Sequence, residues 1–448
     1  MILLFTVALA SLQAVNSLQC GHKTNLSTAW TLDDSLRESF LGGGESGFQP
    51  PVVQVDLDLP ASERWVEVGK LYANRSDLVE EYFQSLLPKW ALDVIVPLAK
   101  DVVNYKGFGD FADEMKGYSE ALGLDLGYVV AANLVYQLEH IGVNCSNWNA
   151  TGPTNACKKK SEEIVWLESE WNAKRSLADP IHSGMCTSVV ANNEQGEIVH
   201  GRNLDWNLPE TVKQLLITVE FHRNSTLLYK GTYTSNVVVL LFSCHERTNT
   251  KTGTTIVSFV GLLNAMRPYD SNTNTGGFTF SMDARCQGGL LFYNLLEALI
   301  EGSMTPCQHS RLVMENSNSF EEAVKGFETG HLINDGYFIV GGMKSSEGAV
   351  VSRDRNRNAD TWRIDQNKEH GSWYVLETNY DHWEDAPSAD DRRTPGNQHM
   401  TQLGIQGITP EHIYNDVMTV WPTFNPHTDV TCIMSAAQNL FNCTAWLS

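Results

Sequence analysis

An α+β fold, helices first and strands after, is the architecture this sequence predicts. Helical spacing dominates from Asp77 to His140, and short β-branched runs dominate from Cys186 onward. Further helical stretches separate those runs, and no Gly-rich phosphate loop joins strand to helix. That combination indicates a mixed, layered sheet-and-helix domain.

In chain order, Val52 to Leu59 alternates apolar and polar residues and reads as a strand. Asp77 to Phe83 and Trp90 to Val103 follow as helices, which Pro88 and Pro97 are expected to shorten or kink. Phe111 to Ala121 and Tyr128 to His140 are two more. Leu92, Ile95, Leu98, Val102 and Val103 fall on apolar faces that suit core packing. Asn144 to Met185 reads as an exposed connector ending at an accessible peptide bond before Cys186. The strands then come as Leu215 to Phe221, Leu227 to Tyr233, Ile256 to Leu262, Phe278 to Met282, Tyr337 to Val340 and Ala349 to Ser352. Helices are expected near Leu290 to Glu301, Ser310 to Ser317 and Phe320 to Glu328. Ser235 to Cys244 reads as a buried strand or an apolar lip, and Thr248 to Thr255 as a polar, exposed loop.

The 448 residues allow a sizeable core, and 42% hydrophobic with 19% charged residues is a globular balance. A net charge of −21 without a basic stripe argues against nucleic acid, a polyanion it would repel. Ile2 to Leu12 is an apolar core followed by small residues, which reads as a secretory signal over residues 1–17. A retained anchor is the weaker reading, because the run is short for a membrane span. Glycosylation sequons stand at Asn25, Asn74, Asn144, Asn149, Asn224 and Asn442. Secretion would place the 9 cysteines in an oxidising compartment. With Cys186 reduced, the remaining cysteines could pair, Cys432 with Cys443 and Cys145 with Cys157 being plausible local loops; connectivity stays open.

The chemistry gathers between Cys186 and Trp206. Two β-branched runs flank Asn192 to Gly196, a stretch of turn formers, and this is a hairpin signature. The hairpin returns Arg202 and Asp205 toward the strand end that begins with Cys186. A thiol, a guanidinium and a carboxylate sharing one strand end suit a nucleophile with a fixed proton partner. By itself a cysteine before a Val-rich strand is more often a buried small hydrophobe than a catalyst. Cleavage after Met185 would give Cys186 a free α-amine, whose pKa of about 7.7–8 lies near the thiol's ~8.5. One residue would then supply both nucleophile and base. A second polar cluster runs from Glu377 to Trp383 and on through Asp390 to Thr394. Its Asn379 amide could donate to an oxyanion and its Arg392 could tie carboxylates into a network; a solvated surface turn is the plain alternative.

Cys186-Thr-Ser, His200-Gly-Arg-Asn-Leu-Asp205, Thr378-Asn-Tyr-Asp-His-Trp383 and Asp390-Asp-Arg-Arg-Thr394 together resemble the acid ceramidase and N-acylethanolamine acid amidase family. Val55-Asp-Leu-Asp-Leu-Pro60, Asp113-Glu-Met-Lys-Gly117 and Tyr337-Phe-Ile-Val-Gly-Gly342 extend the likeness over most of the mature chain. The resemblance implies a four-layer αββα sandwich of the N-terminal-nucleophile type. Self-cleavage between Met185 and Cys186 would yield a mainly helical α subunit, residues 18–185, and a catalytic β subunit, residues 186–448. It implies Cys186 as nucleophile, Arg202 and Asp205 positioning its thiol and amine, Asn379 in the oxyanion hole and Arg392 completing the polar network.

The implied substrates are N-acylethanolamines or ceramides, met at membranes or lipid micelles in the lysosome or outside the cell. A lipid-presenting activator protein is a possible partner, and no cofactor is expected. No Cys or His pairs fall at metal-ligand spacing, and a papain-like reading lacks both its cysteine motif and a histidine that stands out.

One departure matters. Where the family carries Asn-Glu-Arg or Asp-Glu-Arg, this chain has Asp283-Ala284-Arg285, so Ala284 replaces an active-site Glu. Asp283 could compensate, although alternation turns it to the other face of its strand. A lipid-binding protein with impaired catalysis is therefore the rival reading.

Overall fold

A computed structural model describes residues 47–76, 80, 89–103, 108–131, 185–205, 213, 216–234, 239–245, 252–258, 262–285, 303–333, 335–387 and 390–446. The signal, the connector, Asn25, Asn144, Asn149, the Cys145–Cys157 pairing and the helix expected near Leu290 lie outside these residues.

Two sheets meet face to face. The first holds six strands, all antiparallel. In sheet order they are β1 (Gly47–Phe48), β16 (Leu440–Trp446), β15 (Thr428–Ser435), β4 (Ile198–Asp205), β3 (Met185–Asn192) and β14 (Tyr374–Glu377). The second holds eight: β13 (Asn358–Arg363), β12 (Gly348–Arg353), β11 (Gly336–Gly341), β10 (Phe278–Asp283), β9 (Leu262–Arg267), β6 (Thr226–Thr234), β5 (Leu216–Arg223) and β2 (Val52–Asp56). Only the β2–β5 pairing is parallel there.

Helices cover both outer faces. On the eight-stranded sheet, α4 (Pro306–Asn316) and α5 (Phe320–Glu328) sit over β9 to β12, and Phe327 stacks on Phe280 and Phe338 with ring centroids 4.9 Å from each. On the six-stranded sheet, α6 (Arg393–Leu403) and residues 410–418 bury Met400, Val417 and Met418 against Val189, Val199 and Ile433. Gly201 of β4 allows that approach, since a Cβ there would stand 2.8 Å from Ile413 Cγ2 and 2.9 Å from Met418 Cγ. The four layers are the αββα sandwich expected from the resemblance.

A sheet covered on both sides has no water-facing strand surface, so its strands bury both faces. β4 and β10 are buried at every position. In β10 the alternation sorts chemistry rather than exposure. Phe278, Phe280 and Met282 join the apolar cluster under the helices. Ser281 and Asp283 bond toward β3 and β4 of the other sheet. A polar seam therefore runs between the sheets, beside the apolar cluster of Val190, Ile198, Tyr337, Ile339, Val350, Ile364 and Val375.

The N-terminal region is mainly helical, with α1 (Val66–Tyr72), α2 (Lys89–Val102) and α3 (Asp110–Leu122). Its two strands nevertheless belong to the sheets of the later region. β1 lies on β16 and β2 on β5. Glu114 of α3 is buried and accepts from Arg311 Nη2 of α4 at 3.2 Å, from Arg64 Nη1 at 3.0 Å and from Trp65 Nε1 at 2.9 Å. Burial alone would raise its carboxyl, but the Arg311 charge and these bonds hold it below its usual value.

Three expectations need correction. α2 runs straight through Pro97. Pro97 and Asp93, whose carbonyl loses its helical partner, share the exposed side, where water can take up that bond. The run from Ile256 to Leu262 falls in two sheets: it starts on β8 (Thr252–Ser258) and ends on β9, with residues 259–261 outside the described ones. Thr252 to Thr255 is accordingly strand rather than loop, because its threonines are polar yet β-branched. β8 pairs with β7 (Val239–His245) as a separate ribbon.

Candidate active site

The β3–β4 hairpin forms as its sequence predicts, with Gly196 at φ +81° in the turn. Its register sets Met185 opposite Asp205 and Ser188 opposite Arg202. Arg202 Nη2 reaches Cys186 Sγ at 3.4 Å and donates to Met282 O at 2.9 Å. Cys186 is 3% exposed, and burial pushes its thiol up to about 12 despite Arg202. A thiolate here thus needs more positive charge than the intact chain supplies.

The loop after β14 closes over this strand end. Cys186 N donates to Asn379 Oδ1 at 2.7 Å, and Arg392 Nη2 donates to the same oxygen at 2.8 Å. A guanidinium can only donate, so the amide orientation is fixed. Asn379 Nδ2 then points to Ala284 O, 2.8 Å away, and its second hydrogen has no acceptor among the described residues. Arg392 also donates to the Cys186 carbonyl, to Thr187 Oγ1 at 3.0 Å and to both oxygens of Asp390, at 2.8 and 3.0 Å.

Asp205 sits at the back of the group. Its oxygens accept from Thr428 Oγ1 at 2.7 Å and Asn425 Nδ2 at 3.0 Å, and Arg392 Nη1 lies 3.7 Å away. Burial raises its carboxyl to about 6 against the pull of Arg392. In the intact chain Asp205 therefore reaches the Cys186 nitrogen only through Arg392 and Asn379, not directly.

Asp283 and Ala284 alternate as the sequence implies, but the consequence differs. The face Asp283 occupies is turned toward the hairpin, where its Oδ1 lies 3.0 Å from Ser188 Oγ and 3.6 Å from Arg202 Nε. Burial raises this carboxyl to about 7. It meets the guanidinium that touches the sulfur. Ala284 packs against the apolar cluster that includes Cys186.

Cys186, Arg202, Asp205, Asn379 and Arg392 thus come together, with Asp283 beside them. His382 and Trp383 do not join them. His382 stacks on Trp362 at 4.4 Å and bonds Asp360 at 3.0 Å, while Trp383 is half exposed. Sequence reasoning missed the brace behind Asn379. Arg285 grips Asp381 with two bonds, at 2.8 and 3.0 Å, and Asp354 at 2.6 Å, while the Tyr337 hydroxyl donates to Asp381 at 2.8 Å. Its only trace in the sequence was the position of Arg285 next to Ala284 and of Asp381 two residues after Asn379. No group of His, Cys, Asp and Glu among the described residues is arranged to hold a metal.

Residues 186–412 match the family model of linear amide C–N hydrolases, choloylglycine hydrolase family. Residues 48–107 match that of the beta subunit of N-acylethanolamine-hydrolyzing acid amidase. The N-acylethanolamine-hydrolyzing acid amidase of Cavia porcellus is 30% identical over 390 residues, covering 87% of this chain and 88% of that protein. That of Mus musculus is 29% identical over 419 residues, covering 93% and 94%. The acid ceramidase of Pan troglodytes is 27% identical over 439 residues, covering 92% and 90%. The chain belongs to the choloylglycine hydrolase family of linear amide C–N hydrolases, among the N-acylethanolamine acid amidases and acid ceramidases, and is an amide-hydrolysing cysteine enzyme of the N-terminal-nucleophile class.

Proposed function

We propose that this enzyme cleaves itself between Met185 and Cys186 and then hydrolyses lipid amides, N-acylethanolamines ahead of ceramides, through a Cys186 acyl-enzyme. Cleavage turns the Cys186 nitrogen into a neutral amine beside its own sulfur, and the ammonium it becomes on taking the thiol proton offsets the burial that holds the thiol high. The amine takes the thiol proton as sulfur attacks the substrate carbonyl. The free hydrogen of Asn379 Nδ2 faces the resulting oxyanion. When the carbon–nitrogen bond breaks, the proton passes to the leaving amine, and water activated by the α-amine releases the fatty acid from the thioester. Arg202 holds the sulfur, while Arg392 and Asp205 hold Asn379 and the strand end.

The single observation that carries this reading is the Cys186 group itself, with Arg202 Nη2 at 3.4 Å from sulfur and Asn379 Oδ1 at 2.7 Å from nitrogen. The order of substrates rests on the slightly higher identities to the amidases than to the ceramidases, 28–30% against 25–27%. Passage through the secretory route to the lysosome or the exterior is part of the proposal. It draws on the signal-like residues 1–17 and on the exposure of Asn74, Asn224 and Asn442, the three sequon asparagines within the described residues.

The test is acid incubation of the purified chain, followed by labelled N-palmitoylethanolamine and labelled ceramide. Cys186→Ala should abolish both cleavage and turnover. A fragment that does not begin at Cys186, or a Cys186→Ala protein that still turns over, would defeat the proposal. Ala284 motivates the second reading, lipid binding with impaired catalysis, and a wild-type chain that binds both lipids but releases no fatty acid would favour it. Ala284→Glu should raise turnover or leave it unchanged.

A further inference from the structure

From Asp283 a row of hydrogen bonds runs between the sheets, away from the sulfur. Ser188 Oγ lies 3.0 Å from Asp283 Oδ1 and 2.9 Å from Ser281 Oγ. Ser281 Oγ lies 2.9 Å from His200 Nε2, and His200 Nδ1 lies 2.9 Å from Thr279 Oγ1. Thr279 Oγ1 ends the row 3.2 Å from the Gly341 carbonyl. All five side chains have no measurable exposure, so each link must be satisfied by its neighbours in the row.

Counting protons restricts the row to two directions. A hydroxyl has one proton to give, and a neutral imidazole has one donor and one acceptor. His200 is neutral, since burial and Arg202 lower it to about 3. With Asp283 neutral and its proton on Oδ1, since Oδ2 has no hydrogen-bond partner among the described residues, it donates to Ser188, Ser188 to Ser281, Ser281 to His200 Nε2, His200 Nδ1–H to Thr279, and Thr279 to the Gly341 carbonyl. With Asp283 ionised, every donor and acceptor exchanges roles. Thr279 then gives its proton to His200 Nδ1, His200 Nε2–H donates to Ser281, and the Gly341 carbonyl loses Thr279. The His200 tautomer is therefore tied to the charge on Asp283.

We propose that Asp283, Ser188, Ser281 and His200 form a reversible hydrogen-bond relay that decides which group Arg202 serves, and that they are positioning residues for the Cys186 sulfur. Arg202 Nε lies 3.6 Å from Asp283 Oδ1, while Nη2 of the same guanidinium lies 3.4 Å from Cys186 Sγ. When Asp283 is neutral, the guanidinium's charge is available to a thiolate. When Asp283 is ionised, its carboxylate takes that charge and sets a second negative group beside the sulfur. The charged and titratable groups facing Asp283 are Arg202 and Asp205 of β4, Cys186 of β3, Glu377 of β14 and Arg392 ahead of α6. Of these, only Arg202 lies within ion-pair distance. Burial places the Asp283 transition at about 7, so an acid medium favours the thiolate-serving direction. The relay rests on the hydrogen-bond geometry together with a neutral His200; its effect on the sulfur rests on the nucleophile reading above.

Nitrogen-15 NMR of the full chain labelled at histidine tests it between about pH 5 and about pH 9. The His200 signal is assigned by its loss in His200→Gln and by its shift in Ser281→Ala, so either folded variant suffices. The ring should stay neutral and move its proton from Nδ1 to Nε2 as pH rises. Asp283→Asn should hold one tautomer throughout. A wild-type ring that keeps one tautomer over the whole range, or that takes a second proton within it, overturns the relay.

In the activated enzyme, Asp283→Asn should move the alkaline limb of kcat/KM upward by about one pH unit or more. An unmoved limb overturns the link to Arg202. A wild-type chain with no amide turnover defeats the nucleophile reading, while the tautomer measurement still decides the relay.

Discussion

Asn379 holds three partners with one amide, and that makes it the most exposed point of the chemistry to substitution. Its Oδ1 takes Cys186 N and Arg392 Nη2, and its Nδ2 keeps one hydrogen beyond the bond to Ala284 O. Losing one oxyanion donor costs about 10²–10³ in kcat. Asn379→Ala should lower kcat by that order with a smaller change in KM, measured on the activated enzyme with an N-acylethanolamine. A change confined to KM would remove Asn379 from oxyanion binding. The sequence made Cys186, Arg202 and Asp205 legible because a turn of fixed length sets their register. It also offered Asn379 and Arg392, though without a reason for them to face Cys186, because that meeting depends on where a distant loop lands. Asp283 was legible as a compensating acid on the face opposite that of Ala284, but alternation gives a side chain its face and not what lies across from that face.

Two buried ion pairs hold elements together, and each makes a separate prediction. The Arg285–Asp381 pair fastens the end of β10 to the loop that carries Asn379. Arg285 and Asp381 are both buried, and without the Asp381 charge Arg285 still keeps Asp354, so the cost lies toward the lower end of the ~3–5 kcal/mol of a stranded buried charge. Asp381→Asn should lower unfolding free energy by that order in denaturant titration; a loss under about 1 kcal/mol would mean that water reaches Arg285. The Glu114–Arg311 pair joins α3 to α4 across the proposed cleavage point. Arg311 also lies over the Phe111 and Phe221 rings, 4.6 and 5.3 Å from their centroids. Glu114→Gln should let the acid-cleaved protein separate into two fragments on size exclusion, while wild type elutes as one particle. Neither pair could be read from the sequence, where the partners stand 96 and 197 residues apart. Spacing placed α5 but began α4 late, at Ser310: Thr305 and Gln308 close a capping box that starts it at Pro306, and Ser319 caps α5.

For the whole molecule, the buried acids give stability a pH dependence of definite sign. Asp283 and Asp205 are raised from an ordinary 3.8 to about 7 and about 6, so the fold binds their protons more tightly than the unfolded chain does. Their contribution to stability is fully present below about 4 and is lost as pH rises through 6 and then 7. Glu114, lowered by Arg311, works the other way only in more acid solution. Buried His200 and His309, lowered from 6.5 to about 3 and about 4, pull the other way in acid, so Asp283 is read by difference: relative to wild type, Asp283→Asn should gain melting temperature as pH rises from about 5 to about 8. Calorimetry in which the two proteins keep a constant offset over that range would contradict the assignment.

By itself the sequence determined the order of helices and strands, the hairpin and the family, since each is carried by periodicity, turn chemistry or contiguous motif. Only the tertiary structure decided that β1 and β2 complete sheets built by the later chain, and that Asp283 shares a guanidinium with Cys186. Those are meetings of residues far apart in the chain. They are selected by how two buried sheets pack face to face, and no local pattern encodes that.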